Sequence, residues 1–280
     1  MTTVEASLNI NLPPASYTPP SLTDTVNEAA ENGNNDRLGD NAKADNTSRS
    51  RKKRGVADPT NLWPQNYELT ISLARLSDFQ KEKVREGFAK FAPHVNLRFT
   101  FVDSDDADII LESTRGKSSS AIGTAAEEFP IGKATIKINF WDIPQHDILH
   151  EIGHTIGLKH EHQHPDRTVN YNRQALLPIF GDNESAYDHN MNIYDPDKHV
   201  TSRYDPKSIM HYYVPPGYST GGDTTSLNTE LSQGDKDFLE QLYPPDRDPN
   251  SLVPVKLTTH SGSLTHHKYS KLPPLQPQTS

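Results

Sequence analysis

The chain has 280 residues, a net charge of −9, 32% hydrophobic residues and no cysteine. The negative charge argues against nucleic acid as the main partner, and the lack of cysteine excludes disulfides and thiolate zinc ligands. No apolar run approaches the length of a membrane span, so we expect no membrane partner.

Residues 1–54 are rich in Asn, Asp, Thr, Ser and Pro and have little periodicity, which predicts a mostly disordered segment. Its first twenty residues lack a charged region followed by an apolar region, so the sequence does not support ordinary secretion. The segment ends in the basic run Arg49–Arg54. We favour a dibasic cleavage site that releases a propeptide. A polyanion-binding or nuclear-localisation patch and a solvated charge run without a role remain alternatives.

The globular part, residues 55–244, opens with an alternating strand predicted at residues 67–73. Ser77 and Gln80 have the spacing of a capping box, which predicts a helix to about residue 91. The candidate core positions of this helix are Phe79, Val84, Phe88 and Phe91.

Further strands are predicted at residues 96–102, 107–111 and 134–140. A second helix follows, with Asp142 as its N-cap and Pro144 in its first turn. The order strand, helix, three strands and helix predicts an α+β fold with a mixed sheet. The second helix would bury an apolar face made of Ile148, Ile152 and Ile156.

The second helix carries H-E-x-x-H-x-x-G-x-x-H, beginning at His150. His150 and His154 lie four residues apart on one helix face, which suits two ligands of a tetrahedral zinc. Glu151 follows the first ligand, where a carboxylate can take a proton from a water that the metal activates. Gly157 allows a left-handed turn that ends the helix and lets the chain return with His160 as the third ligand. Three protein ligands leave a fourth position open, which is typical of a catalytic site.

Three neighbouring histidines are not expected to bind this metal. His146 lies a further turn along the helix, too far for one zinc to bind all three helical positions, so we expect it at the rim. His162 and His164 are expected to be solvated loop residues. Loops are then expected to dominate until Ser232 caps a short helix to about Leu242, and residues 245–280 are predicted to form a flexible tail.

Downstream, Ser208–Tyr212 reads S-I-M-H-Y, and an Asp-Arg pair follows His160 at residues 166–167. With the histidine motif, these residues resemble the astacin family of metzincin metallopeptidases. Leu158 stands where that family usually has Phe. The resemblance covers about residues 55–244, and the lack of cysteine makes the chain look like the microbial members.

This resemblance implies an upper subdomain with a twisted sheet and two long helices, an irregular lower subdomain after Gly157, and a zinc cleft between them. It implies one Zn²⁺ per chain, a zinc-binding and oxyanion-stabilising tyrosine at Tyr212, and an apolar floor at Met210. It also implies that Glu161 contacts the mature N-terminus near Gly55, and that the protein is secreted.

Members of the family align substrates along an exposed sheet edge, which we place at residues 118–126. Their zymogens are blocked by an aspartate in F-x-G-D. Leu38-Gly39-Asp40 matches this motif without the Phe, so Asp40 is a candidate switch that occupies the metal's open position. The alternative is a loop Gly-Asp pair without a role.

The sequence therefore predicts a monomeric zinc endopeptidase that acts on protein or peptide substrates. Two alternatives stay open. One is a catalytically silent, metal-stabilised binding module. The other is a zinc hydrolase of non-peptide acyl bonds, because an activated water attacks many kinds of carbonyl.

Overall fold

A computed structural model describes residues 55–141 and 144–245. The predicted N-cap Asp142, the candidate switch Asp40, the basic run and nearly all of the predicted C-terminal tail lie outside the described residues. Within them, no helix is both long and apolar enough to cross a membrane.

The chain forms an α+β fold, as predicted. The strands are β1 Val56–Ala57, β2 Glu68–Ser72, β3 Arg98–Val102, β4 Ile109–Ser113, β5 Ser119–Ser120, β6 Ile136–Ile138 and β7 Val200–Thr201. The helices are α1 Asp78–Phe91, α2 Pro144–Thr155, α3 Arg173–Leu176, α4 Glu184–Met191 and α5 Gln233–Leu242. Short 3₁₀ turns connect several of them.

In the described part of the chain, five strands form the main sheet in the order β3-β2-β4-β6-β5. The first four are parallel, whereas β5 pairs antiparallel with β6 and lies at the edge, so the predicted mixed sheet is confirmed. Strands β1 and β7 form a separate antiparallel pair. The four predicted strands are present; β2, β3 and β6 are shorter than predicted, and β4 has the predicted length but lies two residues further along the chain.

Helix α1 begins as predicted, because Ser77 and Gln80 form the reciprocal hydrogen bonds of a capping box. Val84, Phe88 and Phe91 are buried, but Phe79 is 67% exposed, so its assignment to the core was wrong. Phe79 precedes Phe88 by about two and a half turns and therefore lies on the opposite side of the helix.

Helices α1 and α2 pack closely at Gly87. A Cβ atom there would lie 2.6 Å from Ile148 Cγ2 and 2.8 Å from Ile152 Cδ1, so only glycine permits this approach. Ile148, Ile152 and Ile156 are all buried, which confirms the predicted apolar face of α2. This packing fixes the rotation of α2 and turns its histidines away from α1.

The end of α2 is a Schellman turn at Gly157. Gly157 has φ +98°, its N–H donates to His154 O at 2.8 Å, and Leu158 N–H donates to Gly153 O at 2.9 Å. Two carbonyls at the end of α2 accept hydrogen bonds from side chains that are distant in the sequence. Trp63 Nε1 donates to Thr155 O at 2.8 Å, and Tyr243 Oη donates to Ile156 O at 2.9 Å. Residues near both ends of the described chain thus hold the turn that precedes His160.

We expect Gly157→Ala to lower the free energy of unfolding by about 2–3 kcal/mol, because it combines left-handed strain with a methyl group 2.7 Å from Leu62 Cδ2. The control is Gly217→Ala, where φ is +92° and a Cβ atom would have no neighbour within 4 Å. Strain alone predicts a loss of about 1 kcal/mol there. Urea unfolding of both variants measures the difference, and equal losses would contradict the role of crowding.

The region after residue 165 is more helical than predicted. Helix α4 was missed, although Asn183 caps it by accepting from Ala186 N at 3.0 Å. Its few apolar side chains join a small second core rather than the main one; that core comprises Leu176, Phe180, Tyr187 and Met191. Helix α5 confirms the prediction, since Ser232 and Asp235 form its capping box and it ends at Leu242.

Candidate metal centre

Three buried imidazoles, from helix α2 and the turn after it, converge on one point. The candidate ligand nitrogens of His150, His154 and His160 all lie within 4.8 Å of one another. The Nε2 atoms of His154 and His160 are 3.1 Å apart, and all three side chains are buried. In the described part of the chain, this is the one group of three or more His, Cys, Asp or Glu side chains that could hold a metal ion.

Backbone carbonyls orient the two helical imidazoles. His150 Nδ1 donates to Ile209 O at 2.9 Å, and His154 Nδ1 donates to Leu158 O at 2.8 Å. Each donation leaves the lone pair on Nε2, the atom that faces the other ligands. The Nε2 atom of His150 is buried and has no hydrogen-bond partner among the described residues. A tetrahedral zinc with bonds of about 2.0–2.1 Å needs nitrogens about 3.3 Å apart, so these residues fit zinc.

The surroundings of His150 and His160 favour the neutral form that binds metal. Burial lowers the pKa of His150 and of His160 well below 6.5, and repulsion from the neighbouring His154 lowers both further. A protonated imidazole here would be a buried charge beside two potential like charges. The site therefore favours unprotonated nitrogens at neutral pH.

The turn at residues 208–212 packs against helix α2 and the loop that carries His160. The Met210 sulfur lies against α2 at Gly153, where a Cβ atom would be 2.4 Å from it, and Met210 O accepts from Glu161 N at 2.9 Å. The Tyr212 hydroxyl lies 3.3 Å from His160 Nε2. The structure thus brings Met210 and Tyr212 to the three histidines.

The buried carboxylate of Asp235 anchors this turn, which the sequence did not reveal. It accepts from Ser208 Oγ at 2.6 Å and from Ile209 N at 2.9 Å. Ile209 O in turn accepts from His150, so Asp235 supports a candidate ligand through the backbone. Burial raises the pKa of Asp235 to about 6.

The two candidate glutamates each follow a candidate ligand in the chain. Glu151 is fully buried on α2 between His150 and His154. Glu161 is also buried, and its Oε1 accepts from Asp205 N at 2.7 Å. Gly55 is buried against the Phe238 ring, and its carbonyl accepts from Ser202 N at 3.1 Å. The contact between Glu161 and a mature N-terminus stays a prediction.

The expectation that His162 and His164 are solvated was wrong, and His146, which was expected at the rim, is buried as well. His146, His162 and His164 are at most 3% exposed. His146 Nδ1 donates to Asn228 O at 2.6 Å, and His162 Nε2 donates to Asn190 O at 2.8 Å. His164 Nδ1 accepts from a backbone N–H at 2.9 Å. A polar side chain can be buried wherever the backbone supplies partners, and here long-range contacts supply most of them.

The segment predicted to form a substrate edge, residues 118–126, is only partly extended. Ser119–Ser120 forms the edge strand β5 of the main sheet, but the chain turns into a 3₁₀ helix at Gly123–Glu128. The extended edge is therefore shorter than residues 118–126.

Because several histidines are buried, we expect the metal-free protein to lose stability as the pH falls from 6.5 towards 4. Burial lowers the pKa of His211 to about 4, so the unfolded chain binds a proton before the folded chain does. His211 alone then contributes about 3 kcal/mol that is present above pH 6.5 and lost near pH 4. Burial also lowers the pKa of His150, His160 and His162 well below 6.5, so these side chains act in the same direction.

Asp235 opposes this loss, because its raised pKa makes the folded chain bind a proton between pH 6 and 3.8. The stability that Asp235 gains on protonation offsets about the stability that one histidine loses. Because several histidines lose stability, the net change remains a loss. Urea unfolding of the metal-free protein at pH 7 and pH 5 measures it. Equal or greater stability at pH 5 would contradict neutral, buried histidines.

Comparison with known proteins agrees with this geometry. Residues 55–239 match the peptidase family described as Astacin. Bone morphogenetic protein 1 of Xenopus laevis is 24% identical over 240 residues, which cover 78% of this chain and 32% of that protein. The chain thus spans about a third of the length of that relative.

Two further proteins are matched over most of their length. Astacin-like metalloprotease toxin 1 of Loxosceles intermedia is 22% identical over 237 residues, 81% of this chain and 77% of that protein. The solved structure of myroilysin aligns with a TM-score of 0.65 and 27% identity over 69% of this chain and 100% of that chain. Because the family match spans most of the sequence, this chain belongs to the astacin family of metallopeptidases.

Proposed function

We propose that this protein is a zinc-dependent endopeptidase. The observation that carries the proposal is the convergence of three buried imidazoles, two of which donate through Nδ1 and so present Nε2 to one metal ion. Membership of the astacin family supports zinc as that metal and peptide bonds as the target. We propose one zinc ion per chain, because the three histidines form one set of ligands.

Each side chain at the site has a defined part in this proposal. His150, His154 and His160 hold zinc, which when bound lowers the pKa of a water and polarises the scissile carbonyl. Glu151 takes a proton from the attacking water and passes it to the leaving amine. Tyr212 donates a hydrogen bond to the oxygen that becomes negative in the transition state.

The substrate is an extended polypeptide. Strand β5 ends the main sheet, and among the described residues it pairs with β6 alone, so a peptide can add to its other edge through main-chain hydrogen bonds. We propose that peptides align at Ser119–Ser120. A monomeric state and the switch role of Asp40 remain predictions.

Hydrolysis of casein with and without a chelator tests the function. We expect activity that a chelator abolishes and that stoichiometric zinc restores. Zinc binding without hydrolysis of any substrate would favour the silent binding module. Hydrolysis of ester or amide substrates but not of casein would favour an acyl hydrolase.

We expect Tyr212→Phe to lower kcat by about a hundredfold with zinc still bound, because it removes one oxyanion donor. The ring and its packing remain. The adjacent half-buried Tyr213 provides the control, and Tyr213→Phe should keep nearly full activity. Steady-state kinetics of both variants at equal zinc content measures the effect. Equal kcat values for the two variants would contradict the donor role.

A further inference from the structure

The Tyr212 ring rests on the imidazole of His162. The two rings are stacked, with centroids 3.8 Å apart and planes inclined by 18°. His162 is fully buried, and it follows the candidate ligand His160 by two residues across a 3₁₀ turn. The same turn therefore carries a metal ligand and the surface on which Tyr212 lies.

The other contacts of His162 fix it in place. Its Nε2 donates to Asn190 O of helix α4 at 2.8 Å. Its backbone carbonyl accepts from Arg167 Nη1 at 2.9 Å, and Arg167 also donates to Met191 O at 2.6 Å. The Tyr171 ring also packs against it in a T-shaped arrangement, with centroids 6.3 Å apart. His162 is thus held by the second core and by its own loop, independently of Tyr212.

Contacts of both the main chain and the ring position Tyr212. Its backbone carbonyl accepts from His211 Nδ1 at 2.7 Å and from Thr225 Oγ1 at 2.9 Å, which fixes the main chain. The side chain is positioned by its hydroxyl, which lies 3.3 Å from His160 Nε2, and by the packing of its ring. The ring contacts His160, with centroids 4.8 Å apart, and the closer, nearly parallel His162.

We propose that His162 is a positioning residue for Tyr212, a role that rests on the proposed peptidase function. The flat face of His162 sets where the phenol ring stands, so that its hydroxyl stays 3.3 Å from His160 Nε2 and within reach of the reacting carbonyl. His162 does not touch the substrate or the metal. It acts through the tyrosine.

A double-mutant cycle tests whether His162 works through Tyr212. We expect His162→Leu to lower kcat about tenfold with little change in KM, because a misplaced donor is lost mainly in the transition state. In a Tyr212→Phe background the same change should cost less than about twofold. His162→Phe keeps a flat ring and should restore kcat to within about threefold of the wild type.

His164→Leu is the matched control, since His164 is equally buried in the same loop and its ring faces Tyr204 instead, with centroids 6.0 Å apart. It should leave kcat within about twofold of the wild type at equal zinc content. Equal losses from His162→Leu in the wild-type and Tyr212→Phe backgrounds would overturn the proposal, because they indicate a general packing effect.

Crystal structures of the zinc-loaded His162→Leu and His164→Leu proteins provide a readout that does not depend on activity. We expect the Tyr212 ring to shift or to occupy more than one position only in His162→Leu. A ring that superimposes on the wild type in both variants would overturn the proposal. These crystal structures also distinguish a failure of the positioning role from a failure of the proposed function. An inactive wild type would refute the peptidase function, while the tyrosine shift would still be observed.

Discussion

Replacement of Glu151 by Gln is expected to reduce peptide hydrolysis by about 10³-fold or more while zinc remains bound. The amide keeps the size and most of the hydrogen-bonding capacity of the side chain but cannot accept a proton from the attacking water. Glu151 is fully buried on α2 between two candidate ligands, so bulk water cannot easily accept the proton in its place. The loss should appear in kcat rather than in KM.

Kinetics on a fluorogenic peptide and zinc analysis of the same preparation measure this effect. Glu128→Gln is the control, because Glu128 is an exposed carboxylate outside the site, and it should change neither property. A Glu151→Gln protein with substantial turnover would show that another group takes the proton.

Replacement of His154 by Ala is expected to remove zinc and activity together. With one of three ligands lost, the remaining pair lacks the arrangement that fits zinc. We expect zinc affinity to fall by more than about a hundredfold, beyond the effect of losing a supporting hydrogen bond alone. The change also opens a cavity beside His160, whose Nε2 lies 3.1 Å from that of His154.

Equilibrium dialysis against buffered zinc measures the affinity. His189→Ala is the control, because the His189 side chain is exposed on α4 away from the three ligands, and its zinc affinity should equal that of the wild type. Stoichiometric zinc of unchanged affinity in His154→Ala would show that the ligand set is wrong.

The parts of the site that could be predicted are those that short-range spacing determines. His150 and His154 share a helix face because they are four residues apart, and Gly157 ends that helix because it can adopt a positive φ. The helix caps predicted at Ser77 and Ser232 are equally local and were also correct.

The parts that could not be predicted depend on contacts between distant segments. Trp63 and Tyr243 donate to carbonyls at the end of α2, although 92 and 87 residues separate them from their acceptors. Asp235 holds Ile209 across 26 residues. Periodicity and motif spacing contain no information on such pairs.

The prediction for the loop after His160 was wrong because it relied on side-chain polarity. His162 was expected in solvent because it is a polar residue outside a helix, but it packs against Tyr212 and Tyr171 and donates to α4. Helix α4 itself escaped prediction because it buries few apolar residues, and without that helix the burial of His162 could not be inferred.

The central claim is that one zinc ion binds to three imidazoles from α2 and the turn that follows it. Anomalous diffraction at the zinc edge, from crystals grown with stoichiometric zinc, tests this most directly. We expect one strong peak about 2.0–2.1 Å from Nε2 of His150, His154 and His160. A peak bound by other side chains, or no peak at these three nitrogens, would contradict the claim.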